Sequence, residues 1–138
     1  MTLIDKARKG TITTEMKAVA KKEGVAPEFI RDEIASGRLV IPKNVKRKKL
    51  DVEGIGAGIR TKVNANIGTS KDRCSTKTEL AKLAEALDAK TDAVMDLSTG
   101  GDLKQIRREI LDACPKPLGT VPLYELFVKA SNRCSSAL

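Results

Sequence analysis

Three residues of different chemistry recur at equal spacing in the second half of the chain. Asn66, Met95 and Tyr124 are separated by 29 and 29 residues, and a β-α-β repeat takes roughly 30 residues. The spacing therefore predicts that they occupy equivalent positions at the ends of adjacent strands. Ligands of parallel α/β folds bind at the carboxyl ends of the strands, where an amide, a thioether and a phenol would share one concave rim.

Each of these residues also has an ordinary structural explanation. An asparagine at a strand end is a common turn former, a methionine in an apolar run is commonly core, and a lone tyrosine can be a packing residue. The segment 98–101 (STGG) can form a backbone nest for an anion, but glycine pairs are also frequent in simple turns. Considered alone, the residues leave both interpretations open.

Several kinds of chemistry lack the residues they need. The chain has no His, so it supplies no imidazole ligand or imidazole acid–base group. Its three cysteines, Cys74, Cys114 and Cys134, form no CxxC pair, and their odd number predicts reduced thiols in the cytoplasm. They do not predict a metal or iron–sulfur site within one copy of the chain. A membrane-spanning helix and a secretory signal are not expected either, because neither apolar pattern is present.

Positive charge is concentrated near the N-terminus. Residues 1–50 hold 13 Lys and Arg against 6 Asp and Glu, whereas residues 51–138 hold 13 against 12. The densest cluster is Lys43, Lys46, Arg47, Lys48 and Lys49. We interpret it as a solvated linker in preference to a phosphate contact, because no aromatic or Gly/Arg pattern accompanies it. Acidic residues on the second predicted helix also disfavour a DNA-reading helix-turn-helix, so nucleic acid is not an expected partner.

The hydrophobic pattern predicts an α/β fold. Two helices are expected near the N-terminus, one capped by Thr13 or Thr14 and ending at Gly24, the other running from Pro27 to Gly37. From residue 60 onward, strand and helix patterns alternate three times, which predicts parallel strands joined by right-handed crossovers. The predicted strands cover residues 61–67, 93–97 and 118–123, and the predicted helices cover 76–87, 103–111 and 123–130.

Three sequence blocks resemble a known family. Residues 63–70 (VNANIGTS), 94–102 (VMDLSTGGD) and 119–124 (GTVPLY) are similar to signature blocks of the ThiC family of phosphomethylpyrimidine synthases. The segments EFIRDEIASGRLVIP and GIGAGIRTKVNANIGTS resemble its N-terminal part. The resemblance runs from about residue 5 to Tyr124, and the tail ELFVKASNRCSSAL does not share it. The charge and hydrophobic patterns predict a basic helical segment over residues 1–50 and three β-α units over 51–138, and the resemblance implies that these units are part of a (β/α)8 TIM barrel.

The resemblance also implies a reaction. Family members convert 5-aminoimidazole ribotide into 4-amino-5-hydroxymethyl-2-methylpyrimidine phosphate, the pyrimidine precursor of thiamine, by radical S-adenosylmethionine chemistry. They use a 4Fe-4S cluster and a zinc-type metal. By motif, Asn66, Met95 and Tyr124 would be substrate-binding residues. The CxxCxxxxC motif and the metal-binding histidines of the family are absent from this sequence, so no catalytic or metal-ligating residue is carried over.

The resemblance leaves three functions open. The chain is expected to be an N-terminal part of the synthase that ligates no cofactor and is inactive alone. A paralogue making 5-hydroxybenzimidazole from the same ribotide is the second possibility. The third is a non-enzymatic fragment that binds the ribotide or forms a homo-oligomer. The expected partners are the ribotide and either a second copy or a C-terminal part, with no membrane.

Overall fold

The computed structural model describes residues 1–47 and 49–135, with side chains up to residue 131. The chain forms two compact units, which meet in sequence between Lys62 and Val63. No helix of the described residues is both long and apolar enough to cross a membrane.

The first unit is a group of helices packed around one apolar core. Its elements are α1 (Leu3–Arg8), α2 (Thr14–Glu23), α3 (Pro27–Ala35) and the antiparallel strands β1 (Leu39–Val40) and β2 (Ile55–Gly56). Burial of apolar area is the main stabilising contribution in such a unit. The buried side chains that form the core are Ala7, Met16, Val19, Ala20, Ile30, Ile34, Leu39, Ile41 and Val52.

The two predicted N-terminal helices are confirmed, and a further helix precedes them. Thr13 caps α2 by accepting a hydrogen bond from the Met16 N–H, and Gly24, at a φ of 69°, ends it. Helix α1 was not predicted. It begins at a capping box in which the Asp5 N–H donates to the Thr2 hydroxyl and the Thr2 N–H donates to the Asp5 carboxylate. The Thr-x-x-Asp spacing was the available signal.

Part of the basic cluster is engaged within the first unit. The Lys43 Nζ lies 2.7 Å from the Glu15 Oε1. Hydrogen bonds from Lys43, from the Glu15 N–H and from Thr13 lower the pKa of Glu15 to about 2. Lys48 lies outside the described residues. The interpretation of this cluster as a solvated linker, in preference to an anion contact, stays a prediction.

A buried ion pair lies at the end of the first unit. The Lys62 Nζ is 2.8 Å from the Glu23 Oε1, and each side chain is only 5% exposed. The Arg60 N–H donates to the Glu23 Oε2 at 2.9 Å, and the Lys62 Nζ also donates to the Arg60 carbonyl. Burial raises the pKa of Glu23, but the hydrogen bonds from Lys62 and Arg60 outweigh it, so the pKa lies below its usual value.

The second unit is a parallel three-stranded sheet with helices between its strands, which confirms the α/β class. The strands lie in chain order, each joined to the next by a helix. One face packs on the helices, and its core contains Ile67, Leu83, Val94, Ile106, Ile110 and Cys114. The elements are β3 (Asn64–Ile67), α4 (Thr76–Asp88), β4 (Ala93–Asp96), α5 (Leu103–Ala113), β5 (Leu118–Thr120) and α6 (Pro122–Ser135).

Two predicted strand boundaries of this unit were wrong by three residues. Strand β3 begins at Asn64, and not at residue 61. The Val63 N–H, just before it, donates to the Asp92 carboxylate instead of to a strand carbonyl. Strand β5 ends at Thr120, although the pattern predicted extended chain to Leu123. Pro122 occupies the first position of α6, where its fixed φ and missing N–H favour a helix start.

Lys90 adopts an uncommon backbone conformation in the turn between α4 and β4. Its φ is 60°, in the left-handed region that glycine adopts at the lowest cost. The turn is held together by a hydrogen bond from the Lys90 N–H to the Leu87 carbonyl and by another from the Thr91 N–H to the Ala86 carbonyl.

Candidate functional site

Asn66 and Met95 are direct neighbours in the sheet. They are register partners on β3 and β4, one residue before the carboxyl end of each strand. Because neighbouring residues of a parallel ladder point to the same side, their side chains share the face opposite the helices. Asn66 is exposed on this face and Met95 is half-buried. The prediction of equivalent positions is therefore confirmed for this pair.

The exposed face of the sheet, defined by Asn64, Asn66, Met95 and Gly119, carries small and polar groups. The Asn64 amide Nδ2 donates to the Asn66 Oδ1 at 2.8 Å. On β5, Gly119 is the register partner of Met95. A methyl group on Gly119 would lie 2.9 Å from the Met95 sulfur and 3.0 Å from its Cε. The thioether thus lies over the glycine, in space that a larger residue would occupy.

Tyr124 does not occupy the equivalent strand position, contrary to the prediction. The residue on β5 that aligns with Met95 is Gly119, and Tyr124 lies in the first turn of α6. The prediction assumed two β-α units of equal length. Helix α5 has 11 residues where α4 has 13, and the loop before it is also shorter.

Tyr124 instead lines a cleft beyond the strand ends, which we call the carboxyl-end cleft. Its volume is about 450 Å³. Lys71, Thr99 and Tyr124 follow the ends of β3, β4 and β5 by four, three and four residues, so each strand end is followed by one polar residue of the lining. The Thr99 hydroxyl donates to the Thr69 carbonyl at 3.2 Å, so only the Lys71 ammonium and the Tyr124 hydroxyl can donate to a ligand here. These two groups beside an apolar wall suit a small phosphorylated or polar ligand. The full lining is Lys71, Thr99, Leu123, Tyr124, Phe127, Val128 and Ser131.

An ion-pair cluster fixes the helix that carries Tyr124. Glu125 on α6 pairs with Arg107 on α5 and with Lys129 one turn further along α6. Hydrogen bonds from Lys129 and Arg107 lower the pKa of Glu125 to about 2. Because Glu125 is adjacent to Tyr124 in the chain, the pairing with Arg107 helps to set where the phenol lies in the cleft.

The Glu125 cluster predicts a stability loss in acid. The folded-state pKa of Glu125 lies below its ordinary value of 4.5, so its contribution is complete above pH 4.5 and is lost as the pH falls from there towards 2. We expect the thermal midpoint of Glu125→Gln to fall less steeply than wild type between pH 5 and pH 3. Glu85→Gln, an exposed change on α4, is the matched control. A Glu125→Gln protein with the wild-type pH dependence would contradict this role.

A network of buried hydrogen bonds joins the loops that follow β3 and β4. We call it the loop network. The Ser98 hydroxyl donates to the Asp96 Oδ1 at 2.5 Å and accepts from the Thr69 N–H at 3.1 Å. The Thr69 hydroxyl donates to the Gly100 carbonyl at 2.6 Å, and the Thr99 N–H donates to the Thr69 carbonyl at 2.8 Å. Its members are Thr69, Asp96, Ser98, Thr99 and Gly100.

The loop network changes the interpretation of the segment 98–101. The Ser98 N–H donates to the Asp96 Oδ1 at 3.0 Å, and the Thr99 N–H donates to Thr69. Two of the four N–H groups of this segment are thus used within the protein. The segment joins two loops, and these two N–H groups do not form the nest that the glycine pair allowed.

A buried carboxylate also supports the end of β3. Glu79 on α4 is 2% exposed, and its Oε2 accepts from the Gly68 N–H at 2.7 Å. Lys82 lies 2.7 Å from its other oxygen. The charge is therefore hydrogen-bonded and paired, as burial requires. The sequence reasoning missed Glu79, Thr69 and Ser98. The available sequence indication for Thr69 and Ser98 was their position, three residues beyond Asn66 and Met95.

Two of the three cysteine side chains are described. Cys74 is exposed and Cys114 is buried, and the Cys114 thiol donates to the Lys116 carbonyl at 3.5 Å. The side chain of Cys134 lies outside the described residues. Among the described side chains, no group of three or more Cys, Asp or Glu is placed to hold a metal ion.

Parallel β-α units with ligand-type residues at the carboxyl ends define a class of α/β proteins that bind small molecules at that edge. Comparison with known proteins gives the family. The sequence pattern of the Radical SAM ThiC family matches residues 2–137. The chain belongs to this family. The match extends through the tail, so the expectation that the resemblance stops at Tyr124 was wrong.

Individual relatives agree with this assignment. The phosphomethylpyrimidine synthase of Thermus thermophilus is 54% identical over 134 residues, which cover 96% of this chain and 31% of the relative. That of Desulforamulus reducens is 50% identical over 138 residues, which cover 100% of this chain and 32% of the relative. The chain thus spans about a third of the length of these curated relatives.

Proposed function

We propose that this chain forms part of the substrate site of a phosphomethylpyrimidine synthase. The reaction is conversion of 5-aminoimidazole ribotide into 4-amino-5-hydroxymethyl-2-methylpyrimidine phosphate in thiamine biosynthesis. The observation that carries the proposal is the register pairing of Asn66 and Met95 on the exposed face of the sheet, in a chain of the Radical SAM ThiC family. A cytoplasmic location belongs to the same proposal, since an odd cysteine count favours a reducing compartment.

In this proposal each group has a limited role. The Asn66 amide hydrogen-bonds a polar atom of the ribotide, and the flexible Met95 side chain packs against its ring. The Tyr124 hydroxyl bonds a second polar atom from the carboxyl-end cleft. None of the three is assigned a bond-breaking step. Consecutive parallel β-α units are the arrangement from which a (β/α)8 barrel is built, so a partial barrel is part of the proposal, completed by further units or a second copy.

The radical step lies outside the residues of this chain. A 4Fe-4S cluster with S-adenosylmethionine supplies the radical when bound, and a cluster is held by thiolates. Cys74 and Cys114 are not arranged for this role. The chain is therefore assigned substrate binding alone, and binding, not turnover, is the property that tests the assignment.

Asn66→Ala tests the proposal directly. Asn66 is exposed, so the change removes one ligand hydrogen bond at little cost to stability. We expect the Kd for 5-aminoimidazole ribotide, measured by calorimetry on the intact protein, to rise by about tenfold. Asn44→Ala, the same substitution at an exposed position of the first unit, should leave the Kd unchanged. Equal affinities for the two variants would remove Asn66 from the site.

A further inference from the structure

Apart from Thr99, the members of the loop network belong neither to the exposed face of the sheet nor to the lining of the carboxyl-end cleft. Asp96 and Ser98 are 5% and 8% exposed, and Thr69 is 3% exposed. Asp96 lies on the helix-covered face of β4, the face that also carries the buried Val94. Burial of a carboxylate there is costly unless hydrogen bonds satisfy it. Ser98 supplies these hydrogen bonds from its N–H and its hydroxyl, so the carboxylate and Ser98 act as one unit.

Ser98 is the central member of the network. Its hydroxyl donates to Asp96 and accepts from the Thr69 N–H, so one oxygen connects β4 to the loop after β3. Both interactions have fixed directions, because Asp96 accepts only and the Thr69 N–H donates only. Thr69 is in turn bonded to Gly100 and Thr99. The separation between the two strand ends is therefore set by hydrogen bonds as well as by side-chain packing.

The positions of these residues relative to the proposed site carry the inference. Thr69 lies three residues after Asn66, and Ser98 lies three residues after Met95. The network thus joins the loops that follow β3 and β4, three residues beyond the register-paired Asn66 and Met95. We propose that Ser98, oriented by Asp96, is a positioning residue that fixes the spacing and direction of Asn66 and Met95 for the ribotide. This inference rests on the proposed function of the exposed face.

The test uses three variants of one residue type. Ser98→Ala removes the hydroxyl, and Ser98→Thr retains it. Ser75→Ala removes the hydroxyl that caps α4 through the Thr78 N–H, which lowers stability without touching the network. The first measurement is amide hydrogen exchange on the intact protein without ligand. We expect the exchange rate of the Thr69 N–H, taken relative to that of the core residue Val94, to rise about tenfold in Ser98→Ala. The other two variants should not show this rise.

The second measurement is the affinity for 5-aminoimidazole ribotide. We expect a Kd about tenfold higher for Ser98→Ala, restored by Ser98→Thr and unchanged by Ser75→Ala. A purely structural role would not give the third result that we expect: in an Asn66→Ala background, Ser98→Ala should raise the Kd by much less than tenfold, because only the Met95 contact remains to be lost. Two results would overturn the positioning role: an equal rise in Kd in both backgrounds, or an unchanged Kd together with faster Thr69 exchange.

The two proposals fail in different ways. If the unaltered protein does not bind the ribotide, the proposed function is refuted, and the positioning role, which rests on it, is refuted with it. Exchange at Thr69 would then show only whether Ser98 holds the two strand ends together. If the unaltered protein binds and Asn66→Ala weakens binding but Ser98→Ala does not, the proposed function stands and the positioning role is wrong.

Discussion

Replacing Gly100 by alanine is expected to destabilise the protein by about 3 kcal/mol, the upper part of the range for an overpacked site. The added Cβ would lie 2.1 Å from the Ser70 carbonyl oxygen, 2.4 Å from the carbonyl carbon and 2.8 Å from the Lys71 nitrogen. All three are backbone atoms, so no side-chain rotation relieves the contact. Separation of the loops would lengthen the hydrogen bond from Thr69 to the Gly100 carbonyl, now 2.6 Å.

Urea unfolding of Gly100→Ala against Gly24→Ala measures this effect. Gly24 has a φ of +69° and open space around the missing Cβ, so alanine there costs only about 1 kcal/mol of backbone strain. We also expect weaker ribotide binding by Gly100→Ala, because the loops that follow Asn66 and Met95 would move apart. Similar unfolding free energies for the two variants would show that the close approach of the loops does not exist in solution.

Replacing Lys62 by methionine is the second change for which we expect a large effect, a loss of about 3 kcal/mol. The substitution keeps the length of the side chain but leaves the Glu23 carboxylate, 5% exposed, without its cation. The Arg60 N–H remains as one hydrogen-bond donor to it. Because breaking a buried pair costs more than the pair contributes, removal of both charges should be far less harmful.

A double variant separates charge from packing. Lys62→Met with Glu23→Leu should recover most of the loss, measured as the unfolding free energy in urea. Lys43→Met breaks a chemically identical pair, but the two side chains there are 30% and 22% exposed, so we expect a loss of about 1 kcal/mol or less. If the double variant is as unstable as Lys62→Met, the loss comes from the packing of the lysine chain and not from an unpaired charge.

The sequence predicted the parts of the fold that depend on local patterns. Strand–helix alternation gave the α/β class, and Thr13 and Gly24 marked the ends of α2. The pairing of Asn66 with Met95 followed from the repeat length, because the chain between them matches a typical β-α unit. These predictions succeed because the periodicity of buried residues and the capping of helices are set by residues close together in sequence.

The missed features depend on lengths and partners that no local pattern fixes. The position of Tyr124 required the length of α5 and the start of α6 at Pro122. The loop network required knowing that Thr69 and Ser98 meet across two strands. Residue type alone did not distinguish a ligand-binding hydroxyl from a structural one, since Thr69 and Ser98 are buried while Tyr124 is 41% exposed.

The placement of Met95 over Gly119 makes the site sensitive to oxidants. The half-buried thioether lies on the face that we propose binds the ribotide, and a face open to such a ligand is open to small peroxides as well. Oxidation to the sulfoxide adds a polar oxygen and makes the sulfur chiral, and this sulfur lies 2.9 Å from where a Cβ at Gly119 would be. The added oxygen would fill the space over Gly119 or project towards the ligand. Reducing conditions therefore protect the shape of this binding surface.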